Sequence, residues 1–177
     1  ATDGSTLNTS FGESIAMSKD GTTLAIGVPG LDNADRADAG AVYIYKWNRD
    51  DSTNTYTLDQ TINEPGDLVD AKFGSSLSMN QSGTRLAIGA EKSANPREMK
   101  FDSGETTFDL QDTNIVDLNT GSGATYTATN YNTKFVLDDR IVSENVSEND
   151  DYGRGVCMID NNLYVGAPKD EGYAGLS

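Results

Sequence analysis

The residues of this chain with most scope for chemistry are its carboxylates. Asp32, Asp35 and Asp38 recur at three-residue spacing within the stretch LDNADRADAG. A hard dication such as calcium takes about six to eight oxygens, several of them charged. The stretch therefore reads either as a surface calcium site or as a solvated loop in which Arg36 offsets part of the charge. A second acidic stretch, PKDEGYAG, carries Asp170 and Glu171 and points more to a turn preference than to a cage. Adjacent carboxylates stand at Asp50-Asp51, Asp138-Asp139 and Asp150-Asp151. Glycoside hydrolysis needs two carboxyl groups facing each other across about 5 to 10 Å, whereas neighbours on a strand point to opposite faces. These pairs do not predict an enzyme. The chain has no histidine, which removes Ser/His/Asp and Cys/His catalysis and histidine-bearing metal sites. Its single cysteine, Cys157, excludes an internal disulfide and any CxxC pair. The expectation is no catalytic residue and no cofactor, calcium at Asp32, Asp35 and Asp38 excepted.

The elements that would have to position such residues belong to an acidic, glycine-rich chain. It has 177 residues, with 28 acidic against 13 basic side chains, a formal charge of −15 and a pI near 4.1. That length is one sizeable domain or two small ones. The negative excess repels phosphate backbones and anionic lipid, so nucleic acid is a poor partner. No apolar run approaches the roughly 18 to 20 residues that span a bilayer, so membrane insertion is not expected. The opening ATDGSTLNTS has neither the charged nor the apolar region of a signal peptide and no initiator methionine. The expectation is a processed chain or a piece of a longer polypeptide.

An internal repeat organises the sequence, and repeats decide fold before any local propensity does. FGESIAMSKDGTTLAIGVPG from Phe11, FGSSLSMNQSGTRLAIGA from Phe73 and YGRGVCMIDNNLYVGAP from Tyr152 align without gaps over their first seven positions. Phe11, Phe73 and Tyr152 form one column, followed by Gly12, Gly74 and Gly153, by Ile15, Leu77 and Val156, and by Met17, Met79 and Met158. A second element recurs as Leu24 to Gly27, Leu86 to Gly89 and Leu163 to Gly166. An Ala-Gly or Ser-Gly pair then opens a third run at Ala39, Ser122 and Ala174. A fourth alternating run follows twice, YTLDQTI from Tyr56 and KFVLDDRIV from Lys134. Asp20-Gly21, Ser82-Gly83 and Asp160-Asn161-Asn162 supply tight-hairpin chemistry between the first and second runs. No helical period is sustained. The class is all-β, in blades of four antiparallel strands: a first unit over 1–71, a second over 72–151 with an insertion around 91–120, and the start of a third over 152–177.

The pattern FG-x-S, a polar turn, then L-h-h-G-h-P and AG-x-V-Y resembles the FG-GAP repeat of integrin-α-like β-propellers. Phe11-Gly12 stands for FG, and Gly27-Val28-Pro29 and Gly166-Ala167-Pro168 for GAP; Gly89-Ala90-Glu91 lacks the proline. The resemblance implies propeller blades, and in that family the first hairpin loop often carries a calcium cage. Here Ser18 to Gly21, Asn80 to Gly83 and Asp160 to Asn162 each offer at most one carboxylate, which favours a plain turn. Propellers close with about four to eight blades, so two and a half units imply an incomplete part of a larger ring. A second resemblance, carried by FDSGETTFD, is to repeat-bearing structural proteins of large marine tailed phages.

Lesser features complete the reading. Cys157 aligns with Ala16 and Ser78, predicting a small buried slot, and the methionine column predicts core. Trp47, closing the third run, is expected to pack between blades. Sequons at Asn8, Asn80 and Asn145 matter only in a eukaryotic secretory setting. The function expected is a non-enzymatic structural or adhesion module. It would sit in a virion as a phage tail, fibre or capsid-associated component, contacting other structural proteins or a host-surface glycan or protein. The alternative is a secreted or cell-surface bacterial adhesin, with calcium as its candidate ion, and with loops 30–39 and 91–120 as the contact segments.

Overall fold

The structure, a computed structural model, describes residues 9–34, 36–48, 54–66, 68–94, 121–143 and 149–169. Among them the regular structure is β throughout. Strands β1 (Ile15–Met17), β2 (Thr23–Val28), β3 (Ala41–Trp47) and β4 (Tyr56–Asn63) form an antiparallel sheet in that order. Strands β5 (Phe73–Met79), β6 (Arg85–Ala90), β7 (Ala124–Tyr131) and β8 (Lys134–Ile141) form a second, and β9 (Gly155–Ile159) pairs with β10 (Asn162–Gly166). No helix among the described residues is long and apolar enough to cross a membrane.

The two sheets share one register. Ile15 faces Ile26 and Tyr43 in the first, as Leu77 faces Ile88 and Tyr126 in the second, through the middle strand in each case. Both carry a β-bulge between the third and fourth strands, and in both the extra residue is an aspartate, Asp59 or Asp138. A bulge reverses which residues face inward beyond it. Gln60 and Ile62 therefore turn to one side of the first sheet and Leu58 to the other.

The turns follow their residues. Gly21 and Gly83 take φ of 71° and 69°, the left-handed region that glycine enters at least cost. Ser18 and Thr23 close the first loop and Asn80 and Arg85 the second, so each spans four residues rather than two. The extra length is held by side chains: Asp20 accepts from the Thr22 N–H, and Asn80 from the N–H groups of Thr84 and Arg85. Of the hairpins between the first and second strands of a unit, the β9–β10 one is tight, with Ile159 paired directly to Asn162; β7–β8 is tight as well, with Tyr131 paired to Lys134.

The core lies between the sheets. Small and β-branched residues of the first sheet, Ala25, Val42, Ile44 and Ile62, pack against the large side chains Phe73, Leu86, Ile88 and Tyr126 of the second. Each large side chain buried this way contributes about 1.5 to 3 kcal/mol. The β9–β10 hairpin packs in turn on β5 and β6.

Three expectations are corrected by this stacking. Met79 and Met158 are buried against the preceding sheet, but Met17 is exposed, because no described sheet lies against its face of β1, although the Tyr56 hydroxyl reaches its sulfur at 3.6 Å. Cys157 is exposed, since it lies on the face of β9 opposite Met158 and turned away from the second sheet. Trp47 packs edge-on against Tyr56, its own cross-strand partner, at 4.9 Å, and so works within a blade rather than between blades.

Candidate functional site

The repeated residues converge at the junctions between units, where two junctions have one geometry. The Phe73 N–H donates to the Ala39 carbonyl at 3.0 Å, and the Tyr152 N–H to the Ser122 carbonyl at 2.9 Å. Each makes a parallel bridge, Gly40 with Phe73 and Gly123 with Tyr152. The carbonyl of the following glycine then accepts the hydroxyl of the preceding unit: Ser14 Oγ to Gly74 and Ser76 Oγ to Gly153, both at 2.7 Å. A Cβ added to Gly27 would lie 2.0 Å from the Gly74 carbonyl oxygen, and one on Gly89 2.0 Å from that of Gly153, far inside contact distance. Phe-Gly, Ser, the glycine before the Val-Pro or Ala-Glu pair, and Ala-Gly are thus parts of one joint.

The joint brings the β2–β3 loop of one unit against the segment that enters the next. Of the three carboxylates spaced for calcium, Asp32 accepts the Asp38 backbone N–H at 3.0 Å and so closes the loop on its own main chain; Asp35 lies outside the described residues. The Asp38 carboxylate is itself paired with Lys72 at 2.9 Å, and Lys72 reaches Asp70 at 3.2 Å. Burial opposes the Lys72 charge, yet the bonds to Asp38 and Asp70 hold its pKa above the ordinary lysine value. An ammonium therefore already sits on Asp38, and a dication would have to displace it. Among the described residues no three His, Cys, Asp or Glu side chains gather as a metal set. Asp170 and Glu171 are also outside them.

Behind this edge runs a buried polar strut that the sequence reading missed. Glu64, its side chain fully buried, accepts from the N–H groups of Gly66 and Leu68 at 2.9 and 3.2 Å and lies 3.5 Å from Arg36. Tyr126 Oη donates to it at 3.4 Å and accepts from Arg140 Nε at 3.1 Å. Burial raises the Glu64 pKa, against the opposing pull of the Gly66 and Leu68 amides and of Arg36. Glu64 precedes Pro65-Gly66, and a carboxylate ahead of a Pro-Gly turn was the available signal for a group that ties down turn amides.

At the second junction the charges are reversed. Asp151 stands in the column of Lys72 and receives Lys92 at 2.5 Å, Lys169 at 2.8 Å and Arg154 at 3.3 Å. The other described carboxylate pair is also engaged: Asp138 accepts Thr127 and Thr129 hydroxyls at 2.5 Å, and Asp139 accepts the Arg140 N–H at 2.8 Å. Asp50-Asp51 lies outside the described residues, as do the stretch 95–120 and the sequon residues Asn8 and Asn145. Asn80, the remaining sequon residue, is buried with its amide nitrogen donated to Thr84 Oγ1 at 3.0 Å, which leaves it closed to modification in the folded chain.

The arrangement is two joints of one geometry, the first of them carrying Asp32, Asp38 and Asp70 on its loops. The family model for the FG-GAP repeat matches residues 1–45, a span that contains the first Phe-Gly, the Gly-Val-Pro and the first Ala-Gly. No curated protein matches the chain. The chain thus carries an FG-GAP repeat on an all-β architecture of four-stranded antiparallel sheets.

Proposed function

We propose that the chain is a non-enzymatic contact module built from β-propeller blades, structural or adhesive in role. The observation that supports this best is the joint made twice from the same residues, Ser14 with Gly74 and Ser76 with Gly153. Such a joint fixes sheet against sheet and leaves loops 30–39 and 64–72 on a rigid edge, where recognition is usually placed. The matched FG-GAP repeat agrees with an adhesion-type propeller, and the missing histidine agrees with a role that is not catalytic. The setting we favour is a virion, in a tail, fibre or capsid-associated component that contacts other structural proteins or a host-surface glycan or protein, as the FDSGETTFD stretch suggests. The alternative setting is a bacterial cell surface.

Density-gradient fractionation of the natural source with an antibody to the chain tests this reading. Recovery with intact particles supports the virion setting, and release by protease shaving of intact cells supports the adhesin. A freely soluble pool that turns over a glycan would overturn the contact-module reading itself.

A further inference from the structure

The two joints share one backbone geometry, so their backbones alone do not determine which unit enters which loop. What differs is the charge that each unit brings and meets. Lys72 and Asp151 stand in one column, each directly before the Phe-Gly or Tyr-Gly of its unit, with φ of 56° and 53°. Across the first joint Lys72 meets Asp38 of the β2–β3 loop at 2.9 Å. Across the second, Asp151 meets Lys92 of the β6–β7 loop at 2.5 Å.

The loops are charged to match. Gly30, Lys92 and Lys169 form one column, since their N–H groups donate to the carbonyls of Thr9, Ala71 and Asp150, the residues next but one before the aromatic column. Asp38 and Gly121 form another, directly before the Ala-Gly or Ser-Gly pair and both at positive φ, 54° and 75°. At these two places the β2–β3 loop offers a carboxylate and no ammonium, and the β6–β7 loop an ammonium and no carboxylate. The further partners, Asp70 of Lys72 and Lys169 and Arg154 of Asp151, belong to the entering unit and travel with it.

Both pairings fail when exchanged. The third unit on the β2–β3 loop would bring Asp151, whose side chain is 2% exposed, against Asp38, with Gly30 in the place of Lys92. Burying a carboxylate beside another, with no cation across the joint, is strongly unfavourable. The second unit on the β6–β7 loop would set Lys72 against Lys92, with Gly121 in the place of Asp38. Such exchanges are the characteristic error of chains built from like units, within one molecule or between copies. The correct pair at the first joint is part-exposed, at 27% and 45%, and pairs of that kind add little net stability. Their larger effect is to penalise the wrong partner.

We infer that Asp38, Lys72, Lys92 and Asp151 form a charge code that fixes the order of the units. It admits the lysine-led second unit to the β2–β3 loop and the aspartate-led third unit to the β6–β7 loop, and it refuses each exchange. The inference uses the division into repeat units and goes beyond the contact-module reading.

Exchanging the two entry residues tests the code at constant composition. In the 177-residue chain, Lys72→Asp with Asp151→Lys keeps the formal charge at −15 and sets like charges across both joints. The Phe73 and Tyr152 N–H groups close the joints. At low salt they should exchange with solvent about tenfold or more faster in this chain than in the parent. The gap should narrow in about 1 M salt, where the Debye length is about 3 Å. Adding Asp38→Lys and Lys92→Asp inverts the code and should recover most of the lost protection. Parent-like protection in the chain with two changes would overturn the inference. So would four changes that protect no better than two, since the residues would then act by shape and not by sign. If the chain with two changes does not fold, the chain with four decides: folded with both N–H groups protected it supports the code, and unfolded it overturns it. None of these results touches the particle-association test on the parent chain, so the code and the contact-module reading fail separately.

Discussion

Gly27 and Gly74 meet backbone to backbone: the Gly74 carbonyl oxygen lies 2.0 Å from where a Cβ on Gly27 would sit, and Ser14 Oγ holds the same oxygen at 2.7 Å. The relationship recurs between Gly89 and Gly153 with Ser76. At Gly166, where no third joint is described, the nearest such atom is the Gly155 carbonyl at 3.6 Å.

Gly27→Ala and Gly89→Ala should each force a joint apart. Overpacking against fixed backbone costs about 1 to 3 kcal/mol or more, so urea midpoints should fall markedly for both. Gly166→Ala meets only ordinary contact and should shift the midpoint by less than about 1 kcal/mol.

Ser14→Ala and Ser76→Ala remove a hydroxyl while leaving the carbonyl in place. Each should cost about 1 kcal/mol in urea unfolding, the net worth of a neutral hydrogen bond. Gly155→Ser, at the same column of the third unit, should change stability little, since a Cβ there meets nothing within 4 Å.

Gln60 fastens the outer strands to each other. Its amide donates to the Phe135 carbonyl at 2.7 Å and accepts the Phe135 N–H at 2.9 Å, imitating a strand partner. Gln60→Ala leaves both groups short of a partner and should cost about 1 to 3 kcal/mol, with faster amide exchange at Phe135. Unchanged exchange there would show that the contact does not persist in solution.

Two carboxylates give opposite pH dependence. Burial opposes the charge on Asp151, but Lys169 and Lys92 hold its pKa below the usual range. Its stabilisation is therefore present above the unfolded value, near pH 4, and is lost as pH falls through the folded value. Asp151→Asn should cost about 1 to 3 kcal/mol at pH 7, and the gap to the parent should close as the pH falls through the lowered folded value. Glu64 has a raised pKa, chiefly from burial. Its contribution is fully present below the unfolded value, when the group is protonated, and is lost as pH rises through the folded value. Thermal melts of the parent and Asp151→Asn at stepped pH measure the first effect; the same series on Glu64→Gln should remove the second.

The strands, their order and the repeat were legible because the signals are local: alternation, Asp20-Gly21 and Ser82-Gly83, and columns of Phe-Gly and Met. What local signals do not carry is which faces acquire a neighbour. Met17 and Met158 look alike in sequence, yet only Met158 has a sheet against it, and Cys157 lies exposed on the reverse of the same strand. The bulges at Asp59 and Asp138 were hidden because one extra residue leaves the alternation readable on either side. The pairing of Lys72 with Asp38 was hidden because it joins loops of different units, and it changes what the acidic spacing of Asp32 and Asp38 can hold. One exchange shows compensation that no single unit reveals: Thr23 pairs with Lys46 in the first sheet, and Arg85 with Thr129 in the second, so each keeps one cation across the same two strands.

The central claim is that Phe73 and Tyr152 are locked into the preceding unit by their N–H groups, while Phe11 presents the same element uncovered. Residue-resolved amide exchange tests it most directly. The account predicts that Phe73 and Tyr152 exchange only with global unfolding and that Phe11 exchanges orders of magnitude faster, as frayed or exposed amides do. Exchange at Phe73 and Tyr152 as fast as at Phe11 would contradict it, because the joints between units would then not exist in solution.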